Sequence, residues 1–166
     1  MRSYLDASVL VALLAPEPLS ARADGFVRAN PTGLTVSDFA AAEFVSAIAR
    51  RVRTKECTLD EAHADLADFD AWVKRSAGFI ETATADIAVA TALLRRLNLP
   101  LKTPDAIHIA ITQRIGATLV TFDRQMAAAA RASELSSRHR KHCRGPRKCA
   151  ILRRIAQLTS SQRGPQ

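Results

Sequence analysis

Four carboxylates stand at places in this chain where an acid is unusual or well placed for chemistry. Asp6 interrupts the apolar run YLDASVLV, Glu43 lies about one turn into the helix that follows GLTVS, Asp105 stands in the block TPDAIHIA, and Asp123 follows ATLVTF. No Lys or Arg neighbours Asp6, Glu43 or Asp105 in sequence, and Asp123 has only Arg124 beside it. Two carboxylates 4 Å apart repel by about 4 kcal/mol at an effective dielectric near 20. Four converging acids would therefore need a counter-charge. Oxygen-only ligands select a hard divalent cation such as Mg²⁺ or Mn²⁺, which can activate water and stabilise charge on a phosphate.

Each acid also has a plainer reading. Asp105 is a first-turn acid favoured by the helix dipole, worth about 0.3–1 kcal/mol. Asp123 caps a helix from Arg124, and Asp6 caps one from about Ser8. Glu43 is a solvated helix residue on a face with Ala40 and Ala47, away from the stripe of Phe44, Val45 and Ile48.

The elements that would position these acids are legible from periodicity and breakers. Residues 2–6 read as a strand, followed by a helix from about Ser8 that stops before Pro16 and Pro18. Ser20–Ala29 reads as a short helix and GLTVS, residues 33–37, as a strand. Asp38 is expected to cap a helix running to about Arg53, with Phe44, Val45, Ile48 and Val52 as its apolar stripe. Thr58 and Glu61 form a capping box, and Leu59, Ala62, Leu66, Phe69 and Val73 recur behind it. GFIETA, residues 78–83, is a third strand. A helix from Thr84 has Ile87, Ala90, Leu94 and Leu97 on one face. Thr103 at the cap, Pro104 at the first position and Asp105 in the first turn start another, which ends at Gly116. ATLVTF is an apolar strand, and Ala127–Ala130 lie in the last helix. Strands alternating with helices indicate an α/β domain with a mainly parallel sheet. Such sheets bind ligands at the carboxyl ends of their strands, where Asp6 and Asp123 both arrive.

Composition narrows the class. With 166 residues and 48% apolar content the chain is globular. Its net charge of +8 resembles a nucleic-acid footprint. Yet residues 1–132 hold 15 basic and 15 acidic side chains, and the excess lies entirely beyond them. Residues 1–135 are expected to form one domain and 136–166 a basic extension. Ser136–Lys148 reads as a loop or linker, and Ile151, Leu152, Ile155 and Leu158 as a short amphipathic helix. The extension is either an RNA-binding arm or a tail without a selected role, whether disordered or from an altered reading frame. His139, His142, Cys143 and Cys149 fit no common zinc spacing. Three scattered cysteines point to a reducing, cytoplasmic setting, and Val9–Ala15 is too short to cross a membrane.

The blocks YLDASVLVALL, TVSDFAAAEFVSAIAR and LKTPDAIHIAITQRIGATLVTFD, in that order and spacing, resemble the PIN-domain ribonucleases, specifically the VapC-type toxins of prokaryotic toxin–antitoxin pairs. The resemblance spans about residues 2–132. It implies a three-layer α/β/α fold, with Asp6, Glu43, Asp105 and Asp123 as the catalytic acids that bind Mg²⁺ or Mn²⁺ for hydrolysis of RNA. Ser8 and Thr121 match small polar positions that orient a carboxylate or a bound water; local capping and packing are the alternative. A small antitoxin partner and a homodimer are implied too. His108 shares a helix face with Asp105 and reads as a core or interfacial residue, not a metal ligand.

The family's short apolar strand after the last helix has no counterpart in Ser136–Lys148. The alternatives are less apt. A haloacid-dehalogenase phosphatase needs an acid two residues after the first Asp, where Ser8 stands. A phosphotransfer receiver needs an acidic pair before its Asp. A catalytically inactive PIN-like module binding RNA or a partner has no need of four acids.

Overall fold

The computed structural model describes residues 2–140. Chain packing divides them into two compact units that meet between Thr82 and Ala83. The first runs β1 (Ser3–Leu5), α1 (Ala7–Leu14), α2 (Ser20–Ala29), β2 (Leu34–Ser37), α3 (Asp38–Arg53), α4 (Leu59–Ser76) and β3 (Gly78–Ile80). The second runs α5 (Thr84–Leu94), α6 (Thr103–Ile115), β4 (Thr118–Val120) and α7 (Arg124–Arg140). The alternation is that of an α/β fold, as the sequence predicts.

In the first unit β1, β2 and β3 pair in parallel, with β2 in the middle. Tyr4 of β1 lies level with Thr35, and Val36 with Phe79. All residues of β1 and β2 are buried, as parallel strands covered on both faces require. Val9 and Leu10 of α1, Ala40, Phe44 and Ile48 of α3, and Ala62 and Phe69 of α4 complete this core. The rings of Phe44 and Phe69 stack with centroids 4.6 Å apart, an offset contact worth about 0.5–1.5 kcal/mol beyond burial. The Thr58–Glu61 box forms as expected: Glu61 N–H donates to Thr58 Oγ1, and Thr58 N–H donates to the Glu61 carboxylate. The Thr58 N–H, and after it the Thr58 hydroxyl, which also donates to that carboxylate at 2.8 Å, hold the Glu61 carboxyl below its ordinary value.

In the second unit α6 is buried at every position from Ala106 to Thr112, the pattern of a helix inside a protein rather than on its surface. Ala90 and Leu93 of α5, Leu119 and Val120 of β4, and Met126, Ala127, Ala129 and Ala130 of α7 are buried too. Gly116 closes α6 with φ 62°, a left-handed conformation that glycine adopts without steric cost. Asp86 is 1% exposed and pairs bidentately with Arg114, at 2.8 and 2.9 Å, so that α5 is tied to the last turn of α6.

Several expected faces are displaced. Val45, Leu59 and Ile87 are 45%, 60% and 47% exposed, although each sits in an expected apolar stripe. The covered stripe of α3 is Ala40, Phe44, Ile48 and Arg51, an i, i+4, i+8, i+11 series that follows the 3.6-residue period more closely. Ala40 therefore belongs to the core and not to the face of Glu43. Leu97 lies beyond the end of α5, 91% exposed. Thr103 is the first helical residue of α6 and Lys102 its cap, one residue earlier than expected. Residues 136–140, expected to begin a loop, continue α7. The remainder of that segment, the helix expected around Ile151 and the residues His142, Cys143 and Cys149 lie outside the described residues. Among the described residues no helix is long and apolar enough to cross a membrane.

Candidate active site

Asp6 is the residue that separates β1 from α1. It is 2% exposed, and its Oδ1 accepts hydrogen bonds from Val9 N–H at 3.1 Å and from the Ser8 hydroxyl at 2.7 Å. The capping reading of Asp6 thus holds, since its carboxylate satisfies an orphan N–H of the first turn. Capping does not compete with other chemistry: the two donors fix the rotation of a carboxylate at the carboxyl end of β1. Ser8 orients the acid directly.

Two residues before Asp6, on the same side of the strand, Tyr4 is fully buried. Its hydroxyl lies 2.7 Å from Ser37 Oγ. Ser37 in turn caps α3, accepting from Ala40 N–H at 3.0 Å. The expectation that Asp38 is that cap is therefore corrected. Asp38 is the first helical residue, and its Oδ1 accepts from Thr82 N–H at 2.9 Å and from the Thr82 hydroxyl. A serine at the last strand position already supplies the cap oxygen, so the adjacent aspartate is released to bind a residue 44 positions away.

Glu43 lies in the second turn of α3, half-buried. Burial raises the Tyr4 phenol well above its ordinary value of 10.0, and the charges of Asp6, Glu43 and Asp38 raise it further against the opposing Ser37 hydrogen bond. These three carboxylates are thus electrostatic neighbours of one buried hydroxyl. In the first unit the Tyr4–Ser37 link ties the strand that leads into Asp6 to the start of the helix that carries Glu43. Sequence reasoning passed over Tyr4 and Ser37. The signals were the period-two relation of Tyr4 to Asp6 and the serine in the N-cap position.

A prediction follows from Tyr4, the chain's single tyrosine. A raised folded-state value favours the neutral phenol, so this contribution to stability is complete below about pH 10. It declines as pH rises beyond that. Phenolate absorbance is expected to appear only together with unfolding. Tyr4→Phe removes this alkaline loss, while giving up a hydrogen bond worth about 1 kcal/mol at neutral pH. Phenolate formation in a protein that stays folded would contradict the burial argument.

In the second unit Asp105 occupies the third position of α6, half-buried. Its Oδ2 accepts from Lys102 N–H at 3.2 Å, the reciprocal half of a capping box. Asp123 caps α7 through its Oδ1, which accepts from Gln125 and Met126 N–H at 2.7 and 2.9 Å. Thr121 Oγ1 accepts from Asp123 N–H at 2.8 Å, bracing the turn that presents this acid. His108 is 2% exposed, in keeping with its reading as a core or interfacial residue.

Among the described residues no three His, Cys, Asp or Glu side chains form a cluster able to hold a metal by themselves. Mg²⁺ does not require one. It is commonly held by one or two carboxylates, with water and substrate phosphate completing its octahedron. Asp6 and Glu43 supply hard oxygens of that kind.

The PIN domain family model matches residues 3–132. No curated protein matches the chain. Among solved structures, Mycobacterium tuberculosis VapC20, described as a sarcin–ricin loop cleaving toxin, superposes with a TM-score of 0.63 at 20% identity, covering 76% of this chain and 94% of that one. A toxin–antitoxin complex from Klebsiella pneumoniae gives 0.54 at 20% identity, over 73% and 86%. VapBC2 from Rickettsia felis, bound to a DNA fragment from its promoter, gives 0.54 at 16% identity, over 74% and 88%. At these identities the structures speak for a shared fold, and the family match covers most of the sequence. By that match the chain belongs to the PIN-domain family.

Proposed function

We propose that this protein is a Mg²⁺- or Mn²⁺-dependent endoribonuclease that hydrolyses RNA phosphodiester bonds and is neutralised by a small antitoxin protein. The observation that carries the reading is the oriented Asp6 at the carboxyl end of a parallel strand, with Glu43 on the helix whose start the Tyr4–Ser37 hydrogen bond ties to that strand. Family membership supports it, as do fold neighbours that are toxins or toxin–antitoxin complexes. In this reading Asp6 and Glu43 supply the cation's protein ligands in the first unit, Asp105 and Asp123 are the catalytic acids of the second, and the protein acts in the cytoplasm as a homodimer.

A bound divalent ion lowers the pKa of a ligated water and offsets charge developing on the phosphate. The protein's part is positional. Ser8 and Val9 N–H set the plane of the Asp6 carboxylate. The Tyr4–Ser37 link sets α3, and with it Glu43, against the end of β1. Thr121 braces the turn that carries Asp123. Holding groups in this way converts binding energy into rate, because reacting atoms pre-aligned to within an ångström need little further ordering.

The test is cleavage of RNA by protein freed of any antitoxin. Activity is expected with Mg²⁺ or Mn²⁺, loss on treatment with a chelator, and recovery when either ion is restored. Undiminished cleavage in excess chelator would remove the metal from the proposal. Folded, antitoxin-free protein that cuts no RNA with either ion would point instead to an inactive binding module.

A further inference from the structure

The segment between α5 and α6, Arg95–Lys102 (RRLNLPLK), carries three cations and no acid, within a body of the chain whose charges balance in total. Arg95 and Lys102 are exposed and Arg96 is half-buried. None of the three makes an ion pair among the described residues. Elsewhere in the same unit a guanidinium is neutralised at close range: Arg114 meets Asp86 at 2.8 Å. The cations of Arg95–Lys102 are thus a local excess in a unit that pairs charge where it buries it.

The backbone of the segment is also unusual. Leu97 has φ 56° and is 91% exposed. Asn98 N–H donates to the Arg96 carbonyl at 2.6 Å, closing a three-residue turn around Leu97. With positive φ at its centre this is the rarer, strained form of the γ-turn, and a branched aliphatic residue rarely occupies that region. Leu101 N–H closes a second three-residue turn on the Leu99 carbonyl at 2.8 Å, centred on Pro100 and so of the common, unstrained form. The segment is therefore a compact, braced projection and not a slack connection. It leads directly into Asp105, through the Lys102 N–H that donates to the Asp105 carboxylate. Backbone strain kept at an exposed position is a recurrent mark of segments with a binding role.

We propose that Arg95–Lys102 is a phosphate-binding lip for single-stranded RNA, with Arg95, Arg96 and Lys102 seating the backbone beside Asp105. The inference rests on the endoribonuclease reading above. Guanidinium groups suit the task, since each offers a planar fork of donors to phosphate oxygens. An unpaired cation needs no prior partner broken before it binds. Charge contacts of this kind position the strand and carry no sequence information.

The test uses the full chain carrying Asp6→Asn, so that RNA is bound but not cut, and a single-stranded RNA oligonucleotide titrated at several salt concentrations. Each phosphate contact on a single strand contributes about 0.7 to the slope of log K against log salt. Arg95→Gln/Arg96→Gln/Lys102→Gln is expected to reduce that slope by about 2 and to weaken binding about tenfold or more at low salt. Lys74→Gln/Arg75→Gln, which removes two exposed cations at the end of α4, is the control and should leave the slope within 0.5 of the parent. An unchanged slope in the triple variant overturns the lip, as does an equal loss per charge in the control, which would mean diffuse attraction. In the parent with Asp6 intact, the triple substitution should raise KM for RNA more than it lowers kcat. Failure of the endoribonuclease reading is recognised separately, because that parent would then cut no RNA at all.

Discussion

Asp6→Asn is expected to lower RNA cleavage by about 10³-fold while leaving the fold nearly as stable as before. The first half follows from charge. A carboxylate that helps hold a divalent ion contributes several kcal/mol of transition-state stabilisation, and each 1.36 kcal/mol is tenfold in rate, so a loss of about 4 kcal/mol gives this factor. The second half follows from capping. Asn caps a helix about as well as Asp, and its side-chain oxygen can accept the bonds now made by Val9 N–H and the Ser8 hydroxyl. Stability should therefore change by less than about 0.5 kcal/mol. Asp6→Ala differs, since it loses the cap and costs about 1 kcal/mol as well. Cleavage rates and urea midpoints on both variants separate the two roles of one side chain. If Asp6→Asn cleaves at the parental rate, Asp6 is a cap and nothing more.

Arg114→Met is expected to be the most destabilising single change in the second unit, at about 3–5 kcal/mol. It leaves the Asp86 carboxylate, 1% exposed, without the guanidinium that meets both of its oxygens. The Ala83 N–H at 2.8 Å remains, but one neutral donor does not replace a cation. Asp86→Asn should cost less, about 1–3 kcal/mol. Its amide oxygen can still accept hydrogen bonds, and the Arg114 side chain, 35% exposed, can turn part of its charge to water. The double variant should then recover part of the loss of Arg114→Met, because no uncompensated charge stays buried. Urea denaturation of the three variants gives the comparison. Equal losses in both single variants would mean that burial of the acid is not what sets the penalty.

Much of the candidate site was legible before any coordinates. Asp6, Glu43, Asp105 and Asp123 stood out because an acid in an apolar run or at a helix start needs a local reason. For Asp6, Asp105 and Asp123 the structure supplies it in the form of a cap or capping box. Helix ends were legible for a similar reason. Gly116 and the proline pair after α1 act on the backbone of their own neighbourhood, so their effect does not depend on the rest of the fold.

Faces were less legible. Periodicity identifies a helix, but a stripe of Phe44, Val45 and Ile48 is wider than the surface that covers it. Which edge is left bare depends on what packs there, and Val45 and Leu59 proved to be the bare edges.

The sequence by itself determined the family, the alternation of strands and helices, and the local roles of acids that cap within three residues of themselves. Those outcomes depend on short-range hydrogen bonding and on period, both of which are properties of a segment. Tertiary structure alone decided that Tyr4 bonds Ser37, that Asp38 binds Thr82, and that Asp86 finds Arg114. These partners are 33, 44 and 28 residues apart. Such bonds form only after parallel strands and packed helices have closed the intervening chain, so no segment contains the information that selects them.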